Sequence, residues 1–343
     1  MDSRNLVATL AGFVVAAAVL AALAYLVGIG DVLRAIGRAD VGWVALVGAA
    51  ILAWMCLWGA GLRTVLAATG TEIPLADAIL VNAGASFANH VTPFGQAGGE
   101  PVAAWLLSDV SGADYERALA AVASFDTINV VPSLSFAAVG LAYYASVSTL
   151  GTRFRLIGVG IALFALVLAS ALYVGWHHRE VAEALLARLV AVPTRALGRV
   201  IPRFDPPSAA DVEERIERFV GGIERVASDR GRLGLALAFS TGGWLVQSLG
   251  LWFAFRALGV PIPGYVPLFV VPMGTVASVL PTPGGLGGIE TVQVALLVAT
   301  GTAAATATAA VAIFSVGGFF LTTTLGAASV AALQARERRS VLP

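Results

Sequence analysis

Three carboxylates stand in apolar surroundings where a charge is costly: Glu100, Asp126 and Glu290. Acids inside a membrane-spanning stretch face a protein interior or a water-filled path and mark functional sites by default. Glu100 closes the stretch TPFGQAGGE, residues 92–100, and Glu290 closes PTPGGLGGIE, residues 281–290. Asn82, Ser86 and Asn89 recur at helical spacing before the first stretch, with His90 beside them and Gln96 within it. Asp126 and Asn129 follow at i and i+3; Gln247, Thr275, Ser278 and Gln293 are the milder counterparts in the second half. The set reads as a substrate or proton pathway built from Glu100, Glu290, Asp126, Asn129, His90, Asn89 and Gln96. A second reading stands beside it. A carboxylate at a helix start accepts from orphan backbone N–H groups and meets the positive end of the dipole, so both glutamates can be caps. No intramembrane arginine is evident to neutralise these acids, which leaves them protonated, capped or hydrated.

The motif inventory excludes several chemistries. No HExxH, no Ser-His-Asp order and no paired metal ligands occur, so no metal or cofactor is expected. An intramembrane transferase with Glu100 or Glu290 as base has no supporting motif, and the chain is not expected to be an enzyme. All 21 basic residues are arginines, so there is no Walker lysine and no internal ATP drive.

The elements that must position these groups are membrane helices. Of 343 residues, 58% are hydrophobic and 12% charged, against about 25% charged in soluble domains. The formal net charge of +0 leaves no nucleic-acid footprint. A single cysteine, Cys56, lies in an apolar run and reads as a small core residue. Apolar runs of bilayer-spanning length, about 20 residues, cover 6–27, 41–62, 117–145, 154–176, 233–256 and 303–331. The runs 76–108 and 265–300 are apolar but broken. Residues 6–27 exceed the usual signal-peptide core of about 7–15 residues, so a first span is expected there. Trp43 and Trp58 suit interface positions.

The polar segment 177–231 is rich in arginine, as is the C-terminal tail with Arg336, Arg338 and Arg339. Both are expected in the cytoplasm, with the N-terminus inside as well, in a multi-pass protein of the cell membrane. Within 177–231, residues 211–227 form an amphipathic helix that Ser208 or Asp211 can cap. It is expected to pack on the membrane surface or on the bundle ends, or else to dock a partner.

A shift of 190 positions superimposes Thr92, Pro93, Gly95, Gly98 and Glu100 on Thr282, Pro283, Gly285, Gly288 and Glu290. The shared pattern T-P-x-G-x-x-G-x-E-x-V marks an internal duplication. Each copy is flanked by full spans, giving repeat units 41–145 and 233–331 within one membrane domain, 1–343. One extra span, 154–176, separates them and turns the second copy over. The fold class expected is an all-α polytopic membrane protein, an inverted repeat with two re-entrant broken-helix hairpins, 76–108 and 265–300. Pro93 and Pro283 end the first half-helices, and the glycines bend the loops. Such irregular backbone persists at membrane depth only inside protein or beside water, and inverted repeats of this kind hold substrate near the midplane.

At these loops the chain resembles a known family. TPFGQAGGE followed by a helix, and LPTPGGLGGIE, look like the signature loops of the flippase-like transmembrane family, which includes the membrane domain of lysylphosphatidylglycerol synthases. The resemblance runs over roughly residues 5 to 332, and the second loop is the more specific match. It implies a polytopic fold with re-entrant helices and a role in moving or handling lipids. Members are associated with flipping modified phospholipids, and archaeal relatives with lipid-linked sugar pathways. Two departures stand out. Family members often carry an arginine in the span after each loop, where this chain has AVASFDTINVV and AVAIFSVGGFF, with Asp126 and Ser315. The synthases also carry a soluble aminoacyl-transfer domain, and nothing in these residues looks able to bind aminoacyl-tRNA.

The expected function is therefore a lipid translocase, with membrane lipids as partners and a cavity between the two loops. A secondary transporter of a small solute fits the same repeat. So does a non-catalytic scaffold for a lipid-modifying transferase, using the amphipathic helix. The glycine-rich helices can pack against a second copy, giving a homodimer, or within one chain.

Overall fold

The computed structural model describes residues 29–91, 96–147, 209–275 and 287–341, together with Ser170. The expected spans 6–27 and 154–176, residues 177–208 and the two hairpin tips at 92–95 and 276–286 lie outside the described residues. In chain order the helices are α1 (Ile29–Gly37), α2 (Val41–Ala68), α3 (Leu75–Val91), α4 (Gln96–Ser111) and α5 (Tyr115–Val147). They continue with α6 (Ala209–Ser228), α7 (Arg230–Ala257), α8 (Tyr265–Thr275), α9 (Gly288–Ala299) and α10 (Ala304–Val311). A π-turn (Ala312–Val316) joins α10 to α11 (Gly317–Val341). No strand occurs among the described residues, and the fold is an all-α membrane fold.

Length and composition explain the spans. α2 has 28 residues, about 42 Å at the usual rise per residue, and the hydrocarbon core is about 30 Å thick. α2, α5 and the run 304–329 are long and apolar enough to cross a membrane. α7 also has 28 residues. It is less apolar because Ser240, Thr241, Gln247 and Ser248 interrupt it, and it lies along α2.

The α2–α7 pair is antiparallel and tied at both ends. The Asp40 N–H donates to the Ala257 carbonyl at 2.8 Å, and the Arg232 guanidinium donates to the Ala67 carbonyl at 2.6 Å. Each helix starts at an aspartate cap. Asp40 accepts from the Trp43 N–H at 3.1 Å, and Asp229 accepts from the Arg232 N–H at 3.0 Å. α3 leaves from the C-terminal end of α2, and α8 leaves from the C-terminal end of α7. The hairpins α3–α4 and α8–α9 therefore set out from opposite ends of the bundle.

Two apolar cores follow this division. Leu62, Val65 and Leu66 of α2 pack with Val81, Leu106, Leu107 and Phe125. Val47, Ile51 and Met55 pack with Leu251, Phe255, Phe269 and Leu297. Trp58 touches both. The first arm of each hairpin also crosses over: α3 packs on α11, and α8 packs on α5. Small residues allow the close approaches. A Cβ at Gly140 would meet the Tyr265 carbonyl at 2.9 Å, and one at Gly326 would strike the Ala83 carbonyl. Gly61 lies under the Phe125 ring and Gly250 under Phe314. Asp40 and Asp229, Gly61 and Gly250, and Phe125 and Phe314 are each 189 positions apart.

Three expectations are corrected. Cys56 is exposed rather than in the core, because Met55, Gly59 and Leu62 form the inward face and position 56 turns away from it. Trp58 sits mid-helix among Trp54, Trp244 and Phe125 rather than at an interface, because α2 continues to Ala68. Asp211 lies within α6 and does not cap it. The arginines at 336–339 lie at the end of α11.

α6 takes the packed form of the two expected for it. It lies against α5, Val226 is buried, and Arg215 and Arg218 reach Glu116 at 3.5 and 3.7 Å. Arg225 donates to the Thr69 carbonyl at the end of α2 at 3.4 Å.

Candidate functional site

The second hairpin presents a closed carboxylate. Glu290 is the third residue of α9 and is only 4% exposed. Its Oε2 accepts from the Gly287 N–H at 2.6 Å, and its carboxylate also accepts from its own N–H and from the Ser315 hydroxyl. Gly287 holds φ at +84°, which favours glycine. The arrangement is one half of a capping box, since glycine has no side chain to return the bond. Ser315 comes from the π-turn between α10 and α11, and such turns re-aim side chains and recur at functional sites. Gln293, one turn along α9, is 2% exposed and packs against Gly274. Its Oε1 has no hydrogen-bond partner among the described residues.

The first hairpin presents open carboxylates. α4 begins at Gln96, so Glu100 stands a full turn inside the helix, beyond the first-turn N–H groups that a cap serves. Pro101 follows it and has no N–H to return to the Ala97 carbonyl. Glu100 is exposed. Asp126 on α5 lies within electrostatic reach of it. Asp126 is exposed on α5. Two like charges so placed favour a bound cation or a shared proton.

The neighbouring polar groups divide. Asn89 is half-buried, its Oδ1 has no partner among the described residues, and it presses on Gly99 so closely that a Cβ there would collide. Asn129 belongs to the helix packing instead. Its Oδ1 accepts from the Ser240 hydroxyl at 2.5 Å, and its carbonyl accepts from Trp244 Nε1 at 3.0 Å. Asn82 donates to the Met55 carbonyl at 3.1 Å, and Ser86 donates to the Asn82 carbonyl at 3.0 Å. His90, Gln96 and Gly98 are placed by backbone alone, on α3 and α4. Thr92, Pro93, Gly95, Thr282, Pro283 and Gly285 lie outside the described residues, and Gly288 opens α9.

The structure thus brings together Glu100 and Asp126, with Asn89 at the same hairpin, and sets Glu290 apart with Ser315. Sequence reasoning missed the burial of Trp54, Trp58 and Gln247 along the α2–α7 contact. The i and i+4 spacing of Trp54 and Trp58, with a glycine and a glutamine at the same spacing in α7, was the signal available. Among the described residues no group of three metal-ligating side chains occurs.

Comparison with known proteins places these elements. The family model described as the lysylphosphatidylglycerol synthase TM region matches residues 9–326. A UPF0104 membrane protein of Methanothermobacter thermautotrophicus is 28% identical over 327 residues, covering 92% of this chain and 90% of the relative. A UPF0104 membrane protein of Pyrococcus horikoshii is 28% identical over 251 residues, covering 70% and 72% of the two chains. A second Methanothermobacter thermautotrophicus protein of that name is 24% identical over 246 residues, covering 71% of each chain.

Proposed function

The chain belongs to the family of the lysylphosphatidylglycerol synthase transmembrane region, and from that premise we propose that it is a lipid translocase and not an enzyme. The observation that carries the reading is the pair of broken-helix hairpins that set out from opposite ends of one antiparallel helix pair. It supports an inverted repeat with two re-entrant loops. Irregular backbone at membrane depth needs a protein-lined or watered cavity, and two loops from opposite sides frame one that opens to either leaflet.

The halves have separate tasks. Glu290, closed by backbone and by Ser315, fixes the second loop. Glu100 and Asp126 are open and act on the cargo, accepting from a cationic or hydroxyl-bearing headgroup or carrying a coupling proton. Asn89, His90 and Gln96 line the same loop. Movement is downhill or ion-coupled. The protein resides in the plasma membrane with both termini in the cytoplasm, with a second copy or a membrane enzyme as candidate partners.

The test uses purified protein in liposomes carrying labelled lipids with anionic, zwitterionic or polyprenyl-phosphate headgroups. Wild type is expected to remove inner-leaflet protection of at least one class. Glu100→Gln and Asp126→Asn are expected to slow it, by about tenfold for the loss of one charge-assisted hydrogen bond. If wild type moves none of these lipids, with or without a proton gradient, translocation is the wrong function.

A further inference from the structure

Three of the buried hydrogen-bond donors that have no acceptor among the described residues are Trp54 Nε1, Trp58 Nε1 and Gln247 Nε2. They meet across the α2–α7 pair. Trp58 Nε1 lies on Gly243, where any Cβ would collide with it. Gln247 is one turn further along the same face of α7, and Trp54 is one turn before Trp58 on α2. The contacts of Leu57 with Gly242 and of Ala50 with Gly250 fix the antiparallel register, so Trp54 comes level with Gln247. The two indole rings are 5.2 Å apart, edge to face.

The two indoles of this seam donate and cannot accept, and the Gln247 amide adds a donor nitrogen. Other polar groups on α7 are met within the protein: Ser240 and Trp244 donate to Asn129, and Ser248 donates to the Trp244 carbonyl. No charged residue lies within 41–62 of α2 or 233–255 of α7. Asp126 is not part of the seam, because Phe125 buries towards Trp58 while Asp126 turns to the exposed side of α5. A buried donor without a partner is unfavourable. A molecule rich in acceptors would satisfy these donors and shift the protein towards a state that holds it.

We propose that the α2–α7 seam is a phosphate site, where the Trp54 and Trp58 indoles and the Gln247 amide donate to phosphate oxygens. The source is a lipid headgroup, which rests on the translocase reading, or free phosphate. Phosphate oxygens accept and do not need to donate, and hydrogen bonds to an ionised acceptor are strong in a low-dielectric site.

Trp54→Phe, Trp58→Phe and Gln247→Met remove one donor each; the two Trp→Phe changes also remove ring volume, whereas Gln247→Met is close in size. Thermal unfolding in neutral micelles is followed with added phosphatidic acid, inorganic phosphate, or a phosphate-free diacylglycerol glycolipid. Without ligand, Gln247→Met is expected to melt at the wild-type temperature or above it, while the two Trp→Phe variants melt lower by the packing they lose. The phosphatidic acid concentration that half-stabilises the protein is expected to rise about tenfold per donor removed, and the glycolipid is expected to do nothing. Protection of wild type but not the variants by inorganic phosphate also supports the site, with free phosphate as occupant. A ligand-free Gln247→Met that melts lower would show that its donor is already paired, by internal water or the protein, and would overturn the site. Wild type indifferent to both phosphates, or variants that respond like wild type, would overturn it too. Phosphate binding without lipid movement in liposomes removes the translocase and keeps the site. Lipid movement with unchanged binding in all three variants removes the site alone.

Discussion

The two hairpins start from one sequence pattern and finish in different states. In the second, a carboxylate is shut in by two backbone N–H groups and a hydroxyl. In the first, the matching carboxylate is exposed, stands deeper in its helix and faces another acid. The decisive substitution lies in the following span, where AVASFD and AVAIFS align. Phe125 and Phe314 make the same contact with a glycine, so Asp126 and Ser315 occupy matching places. A hydroxyl donates to a glutamate without needing a proton from solution. A carboxylate can do so only when protonated. On the proposed reading, one half is thereby fixed and the other conditional.

The comparison can be broken from its strongest point downward. Glu290→Ala removes the acceptor for Gly287 and Ser315 and is expected to cost about 2–3 kcal/mol, as losing a buried charged acceptor does, read as a fall in unfolding temperature. Glu100→Ala is expected to stay within about 0.5 kcal/mol, as exposed positions do. Equal losses would erase the distinction. Gly61→Ala drives a Cβ into the Phe125 ring and is expected to cost about 1–3 kcal/mol, more than Gly250→Ala, whose Cβ meets Phe314 at 2.9 Å. Phe125→Leu should recover part of the first loss.

Ser315→Ala is expected to cost about 1 kcal/mol, one hydrogen bond, and to leave lipid movement less affected than Asp126→Asn does. The smallest expected effect sharpens the contrast most. Asp126→Ser copies the second half onto the first and should raise stability by about 0.5 kcal/mol, since removing strain at a working site commonly stabilises, while lipid movement slows. If Asp126→Ser moves lipid at the wild-type rate, the first half is not the conditional one.

Much of this was legible in the sequence because membrane spans obey a length rule and glycine, proline and acid are rare inside them. The all-α membrane fold and helices near 41–62, 117–145 and 233–256 all followed from that. Which glutamate is closed did not follow. TPFGQAGGE and TPGGLGGIE read alike, and the difference depends on where α4 and α9 begin and on a π-turn that aims Ser315. Neither leaves a periodic signature. Cys56 and Trp58 were misplaced for a related reason, since the face a residue shows depends on which neighbouring helix covers it. Asn129 looked like a site residue at i+3 from Asp126, but Ser240 and Trp244 on a distant segment claim it.

The ties at the two ends of α2 and α7 have a mechanical consequence. One joins Asp40 to Ala257 and the other joins Arg232 to Ala67, so a slide of either helix by one turn, about 5.4 Å, would break both together. A tilt of one helix against the other about the middle would move the ends furthest and strain both ties, so the pair moves as one body. The pair is then an axle, with the two hairpins as levers on opposite ends. A distance probe across the ends should barely change through a transport cycle, while one from α4 to α9 should swing.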